Sequence, residues 1–242
     1  MMVSIPDPTP GPTEDKITPN NSKDMIVQQL EVCWTGAIIE LGLKREPAQE
    51  AFQDLVSRYS DSSRHYHNLQ HLQNMLSFLE EVRSSVVRMP LVTLAAFDHD
   101  AVYDSKAKDN EEQSALLAEE TLRELGLPED EVQFVSSLIM STKKHHPLLK
   151  SSDNKIFLDA DLAILGSDPE DYIKYTDAIR QEYAWVDAKT YLNRRLSVMS
   201  SFAERDPIYF TEIARTRFQD QAKCNLEAEI RSLEAQIAQN YE

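Results

Sequence analysis

Three of the six histidines crowd into the stretch "RHYHNLQHL", at His65, His67 and His71. Neutral imidazole is a common metal ligand, and its proton comes and goes near neutral pH, so such a cluster can hold an ion or move a proton. On a helix, side chains four positions apart share a face, which pairs His67 with His71 and turns His65 away. Farther along, "LAAFDHDAVYD" sets His99 beside Asp100, a nitrogen and an oxygen donor near the end of an apolar run. "FLDADLAILG" then interrupts another apolar run with Asp159 and Asp161. Carboxylates in such surroundings are rare unless paired or bound to a cation. Two histidines and two aspartates form a donor set for Mn, Fe, Zn, Co or Mg. A thiolate site is excluded, because Cys33 and Cys224 are far apart and in no ligand-like spacing. Any one of these histidines, taken alone, reads equally well as a surface or satisfied core residue.

These residues need a frame, and the frame reads as helix after helix. The opening "MMVSIPDPTPGPTEDKITPNNSKD" holds five of the eleven prolines and almost no core-forming residue, so residues 1–24 are expected to be a disordered N-terminal tail. From residue 25 the apolar positions recur at helical spacing. "DMIVQQLEVCWTGAIIELGL" has Gly42 near its end, and "EPAQEAFQDLVSRYS" has Pro47 in its first turn. Helices are likewise expected over "RHYHNLQHLQNMLSFLEEVRSS", "MPLVTLAAFDHDAVYD" and "DNEEQSALLAEETLRELGLP". "EDEVQFVSSLIMSTKKHHP" should stop at Pro147, and "KIFLDADLAILGSDP" at Gly166. No alternating strand pattern competes, so the class is all-α, with one domain over 25–242. The last helix carries Leu226, Ile230, Leu233 and Ile237 on one stripe, expected to pack on its own domain, with a homodimer contact as the alternative. Both cysteines fall in helical stretches and read as buried free thiols, which suits a reducing compartment.

Composition narrows the function classes. The formal net charge of −16 repels phosphate backbones, so no nucleic-acid partner is expected. A small phosphorylated substrate stays compatible, because a local cation reverses the sign inside a pocket. No run approaches the ~18 apolar residues of a membrane span, and the first residues lack a signal pattern. The expectation is a cytoplasmic protein with no membrane partner.

The ordered set resembles the HD superfamily of metal-dependent phosphohydrolases, in which a His, a His-Asp doublet and a distant Asp come from different helices around one pocket. Here those positions look like His71, His99, Asp100 and Asp161. "YHNLQH" is also similar to a motif of cyclic-nucleotide phosphodiesterases, where the second histidine binds metal and the first protonates the leaving group; this carries over as His71 and His67. The wider text "RHYHNLQHL … HDAVYD … DNEEQSA … STKKH … LDADLAILG … AIRQEYAWV" resembles a subgroup of small predicted phosphohydrolases over roughly residues 25–235. The resemblance implies an HD-domain-like helical bundle, one or two divalent ions per chain, and hydrolysis of a small phosphoester, a nucleotide or related phosphate. A non-catalytic HD-domain binding module and a di-iron HD oxygenase are the alternative readings. One departure stands out: the position before the doublet, usually apolar in the relatives, is Asp98, on the stripe of Leu91 and Ala95. A buried carboxylate there is expected to orient a ligand histidine, with a weakened site as the alternative.

Supporting residues follow the same text. Asp109 and Glu112 have capping-box spacing. Glu111 matches a glutamate that HD relatives place near the attacking water, against a solvated helix face as its plain reading. His145 continues the Phe134/Leu138 side of its helix and corresponds to a histidine used for substrate or a second metal; helix C-capping is the alternative. Lys143 or Lys144 are candidates for a phosphate, and Asp104 for a loop. Arg180 and Tyr183 match recurring text, with Arg180 assigned to substrate or second metal against an internal ion pair.

Overall fold

The structure, a computed structural model, describes residues 20–241. Its helices are α1 (Asn20–Glu40), α2 (Arg45–Tyr59), α3 (Leu69–Glu81), α4 (Met89–Asp98), α5 (Asn110–Leu125), α6 (Glu129–Thr142), α7 (Ser152–Asp161), α8 (Pro169–Glu182), α9 (Ala188–Ala203) and α10 (Glu212–Tyr241). Two 3-10 turns, Arg83–Ser85 and Leu162–Gly166, complete them, and no strand occurs among the described residues. The chain is all-helical, as its periodicity implies. Of the expected tail, residues 1–19 lie outside the described part. Residues 20–24 already belong to α1, because polar residues are at home in a first turn whose N–H groups have no intrahelical partner.

The centre of the fold is α4. Every residue from Leu91 to Asp98 is buried, and a helix apolar all round must sit inside the others. Helices α1, α3, α5, α6 and α7 pack around it. Trp34, Phe52 and Phe97 interlock edge to face across α1, α2 and α4. Buried residues from Leu30 to Leu233 join in one core cluster.

Glycines end the helices where the chain must turn. At Gly42, φ is +67°, and Gly42 N–H and Leu43 N–H donate to the carbonyls of Ile39 and Ile38, closing α1 in a Schellman motif. Gly166 serves closeness instead. A Cβ there would lie 2.5 Å from Phe218 Cβ and 2.6 Å from its carbonyl oxygen, so only glycine lets the turn after α7 rest on α10.

The second half wraps α8, α9 and α10 against that turn. Arg195 Nε donates to Glu229 Oε1 at 2.7 Å, a largely buried pair joining α9 to α10. On α10, Leu226 and Leu233 are buried, and Ile230 and Ile237 pack against the core. The stripe is therefore taken by its own domain, and the alternative of a homodimer seam through this helix loses its apolar face. Cys224 is exposed on the same helix and Cys33 is half-buried, so the expectation of two buried thiols fails. No helix among the described residues is long and apolar enough to cross a membrane.

Candidate metal centre

Each member of the cluster sits at the end of an element. Asn68 caps α3, its Oδ1 accepting from Gln70 N–H at 2.9 Å and His71 N–H at 3.4 Å, which fixes His71 in the first turn. The helix thus begins at Leu69, later than its apolar pattern suggests, because the asparagine side chain supplies the cap. His67 precedes the helix and reaches His71 through the turn, with ring centroids 6.0 Å apart. His99 follows the last residue of α4, and Asp161 is the last residue of α7. Arg64, itself buried, holds the two halves in register: it donates to the carbonyls of Asp100 at 2.6 Å, Ala101 at 2.9 Å and His67 at 3.3 Å.

The donor atoms converge. His71 Nε2 lies 3.2 Å from His99 Nε2 and 3.4 Å from Asp161 Oδ1. His99 Nε2 lies 3.0 Å from Asp100 Oδ2 and 3.8 Å from Asp161 Oδ1, and His71 Nε2 is 3.9 Å from Asp100 Oδ2. Donors around one ion at ~2.1 Å stand ~3.4 Å apart in a tetrahedron, and His71, His99 and Asp161 are close to that spacing, with Asp100 beside His99. His71, His99 and Asp161 together can hold a metal ion, with both imidazoles buried. The tautomer fits as well: His99 Nδ1–H donates to Ala96 O at 2.8 Å, which leaves Nε2 to face the centre.

Electrostatics agree with the geometry. Burial favours a neutral His99, but the Asp100 carboxylate, its hydrogen bond and Asp161 push the ring up to about 9. Burial works against the Asp100 charge, yet His99, His67 and His71 hold that carboxyl well below its ordinary range. Asp161 is likewise held well down against burial by hydrogen bonds from His145 and His71. Two anions facing four imidazoles define a site where either protons or a cation supply the positive charge.

Around the centre, other residues take positions that local patterns did not foretell. His145 approaches Asp161 from the opposite side, Nε2 to Oδ2 at 3.2 Å. It does so outside α6, which ends at Thr142 rather than running to Pro147. With φ +44°, His145 occupies a left-handed closing position where glycine is the usual residue, and its N–H and that of His146 donate to Thr142 and Ser141 carbonyls. Glu111 lines a polar cleft with His67, Asp100, Lys108, Lys143 and His145. The capping box beside it does not form: Asp109 Oδ2 accepts from Gln113 instead, and Glu112 pairs with Lys143.

Glu182, which lies within "AIRQEYAWV" between the residues singled out there, Arg180 and Tyr183, is the partner of His67. Its Oε2 accepts from His67 Nδ1–H at 2.7 Å and Tyr103 O–H at 2.8 Å, and its Oε1 from the N–H groups of Tyr66 and His67 at 2.7 and 3.0 Å. Burial opposes its charge, but His67 and these N–H groups bring the carboxyl down to about 2. In turn, burial pulls the His67 proton off, while Asp100 and Glu182 outweigh it and raise the ring.

Two expected roles are not met. Arg180 donates to the carbonyls of Tyr183 and Val186 at 2.7 and 3.3 Å and lies over the Tyr191 ring; it closes the end of α8. The reason is local: unpaired carbonyls at a helix end attract a guanidinium. Asp98 does not orient a ligand histidine. Its buried Oδ2 has no hydrogen-bond partner and burial pushes the carboxyl up to about 7, since Ala96 already serves His99. Asp159 accepts from Phe210 N–H, Thr211 N–H and Thr211 O–H, so it anchors the approach to α10 rather than the metal. Asp104 holds its loop through Lys106 N–H, and His65 is exposed. No family model matches the chain, and no curated protein matches it.

Proposed function

We propose that this chain is a metal-dependent phosphohydrolase of the HD type, acting on a small phosphoester. The observation that carries the reading is the convergence of His71, His99 and Asp161, from three helix ends, on one buried point beside Asp100 and an oriented His67. The N2O2 donor set suits Mn, Fe, Zn, Co or Mg. When bound, the divalent cation supplies positive charge against phosphoryl oxygens and lowers the pKa of water. Asp100 and Glu182 outweigh the burial of His67 and favour its protonated form. With Nδ1 held by Glu182, its Nε2 is the atom that donates a proton to the leaving alkoxide as the P–O bond breaks. Such general acids contribute roughly 10²–10⁴ in rate. Glu111 is the carboxylate on the polar side that accepts the proton of the attacking water, and Lys108 and Lys143 offset phosphoryl charge there.

The test is a phosphoester panel with Mn²⁺ added. His67→Ala should keep its metal and lose ~10²–10⁴ of turnover, whereas Asp161→Ala should lose both. Release of metal by His67→Ala, or no hydrolysis across the panel, would overturn the reading. A second ion is favoured by one observation, the approach of His145 to the free oxygen of Asp161. Two metals per chain, falling to one in His145→Ala, would establish it.

A further inference from the structure

A second cavity, of about 400 Å³, opens from the same centre between the Leu162–Gly166 turn, α8 and α9. This lies within the ~300–1,000 Å³ typical of small-molecule sites. It and the polar cleft share His67, His145, Asp161 and Tyr183, so the cluster stands where two compartments meet. Their chemistry is opposite. The cleft presents Lys108, Lys143, Asn110 and Glu111. The cavity presents Leu165, Ile179, Val186, Val198, Met199 and Phe202.

Arg195 is committed to Tyr175 and to Glu229, while exposed Arg194 and the rings of Tyr66, Tyr183 and Tyr191 also line the cavity. Arg195 donates to Glu229 at 2.7 Å and to Tyr175 O–H at 3.1 Å. No Asn, Gln, Ser or Thr side chain lines it among the described residues. A nucleobase edge or a sugar would bury donors and acceptors against the apolar wall of Leu165, Ile179, Val186, Val198, Met199 and Phe202, a loss of ~1–3 kcal/mol for each group left unpaired. A flat or branched hydrocarbon loses nothing and leaves water.

We infer that the substrate is a phosphomonoester of an apolar alcohol, aryl or bulky alkyl, whose phosphoryl group sits at the metal cluster while its organic part fills this cavity. The inference rests on the phosphohydrolase reading for the reaction, but the cavity's preference is measurable without turnover. Full-length protein with Mn²⁺ is titrated calorimetrically with 1-naphthylmethylphosphonate and with methylphosphonate. Burying the ring system should make the naphthyl ligand bind at least ~30-fold more tightly. Val198→Asp places a charge in the wall at a half-exposed position, where the fold tolerates it, and should cut that ratio at least tenfold. Equal affinities, no binding of either ligand, or a ratio unmoved by Val198→Asp would overturn the inference. Naphthyl selectivity in a protein that hydrolyses no phosphoester would uphold the cavity's preference and sink the reaction instead.

Discussion

Replacing Glu182 by glutamine keeps the shape and removes one charge, and the structure sets the size of the consequence. The carboxylate is buried and accepts four hydrogen bonds, from two backbone N–H groups, the His67 ring and Tyr103. Its carboxyl is held at about 2, against an ordinary 4.5. That difference corresponds to roughly 3 kcal/mol of folding free energy carried by the ionised form. Because the folded value is the lower one, the contribution is fully present above pH 4.5 and is lost as pH falls toward 2. In Glu182→Gln the amide oxygen still accepts from the backbone, but the amide N–H₂ meets His67 Nδ1–H donor to donor. Urea denaturation at pH 7 should show a loss of about 2–3 kcal/mol, and the gap to the wild type should narrow at pH 3. Turnover should fall at least ~10-fold with metal content unchanged, since His67 loses its orienting partner. Equal destabilisation at pH 3 and pH 7 would refute the assigned charge coupling.

Substitutions at two further positions probe backbone geometry. His145→Ala and His145→Gly both remove the imidazole facing Asp161, but only glycine is at ease at φ +44°. The glycine variant should therefore be the more stable by about 1 kcal/mol in thermal melts, and equal stabilities would contradict a left-handed strain at this residue. Gly166→Ala would set a methyl group against the Phe218 backbone, so it should cost about 2 kcal/mol or more in chemical denaturation. A neutral result there would mean that the turn after α7 does not rest on α10 this closely.

The residues at the centre were legible because each stands out against its neighbours. Asp100 and Asp161 break apolar runs, and His71 and His99 lie where a helix starts or stops. The all-helical frame was legible too, from 3.6-residue periodicity alone. What surrounds the centre was not, and the reason is distance along the chain. Glu182 meets His67 across 115 residues, and a glutamate near a helix end reads locally as solvated. Arg64 acts through carbonyls of Asp100 and Ala101, which no side-chain pattern encodes. Arg180 is the converse case: only a resemblance of its text marked it, while its hydrogen bonds serve its own helix end. His145 combines both difficulties. Sequence points to the residue, but the left-handed turn that delivers it to Asp161 exists only once α6 ends at Thr142.

The central claim is that four side chains from three helix ends form one cation site. Elemental analysis of protein purified without chelator and incubated with Mn²⁺, Zn²⁺, Fe²⁺ or Mg²⁺, beside Asp100→Ala handled identically, tests it most directly. The account predicts at least one tightly held metal per chain, lost in the variant while its helical circular dichroism remains. A wild type that stays empty with every ion, or an Asp100→Ala protein that keeps a full complement, would contradict it.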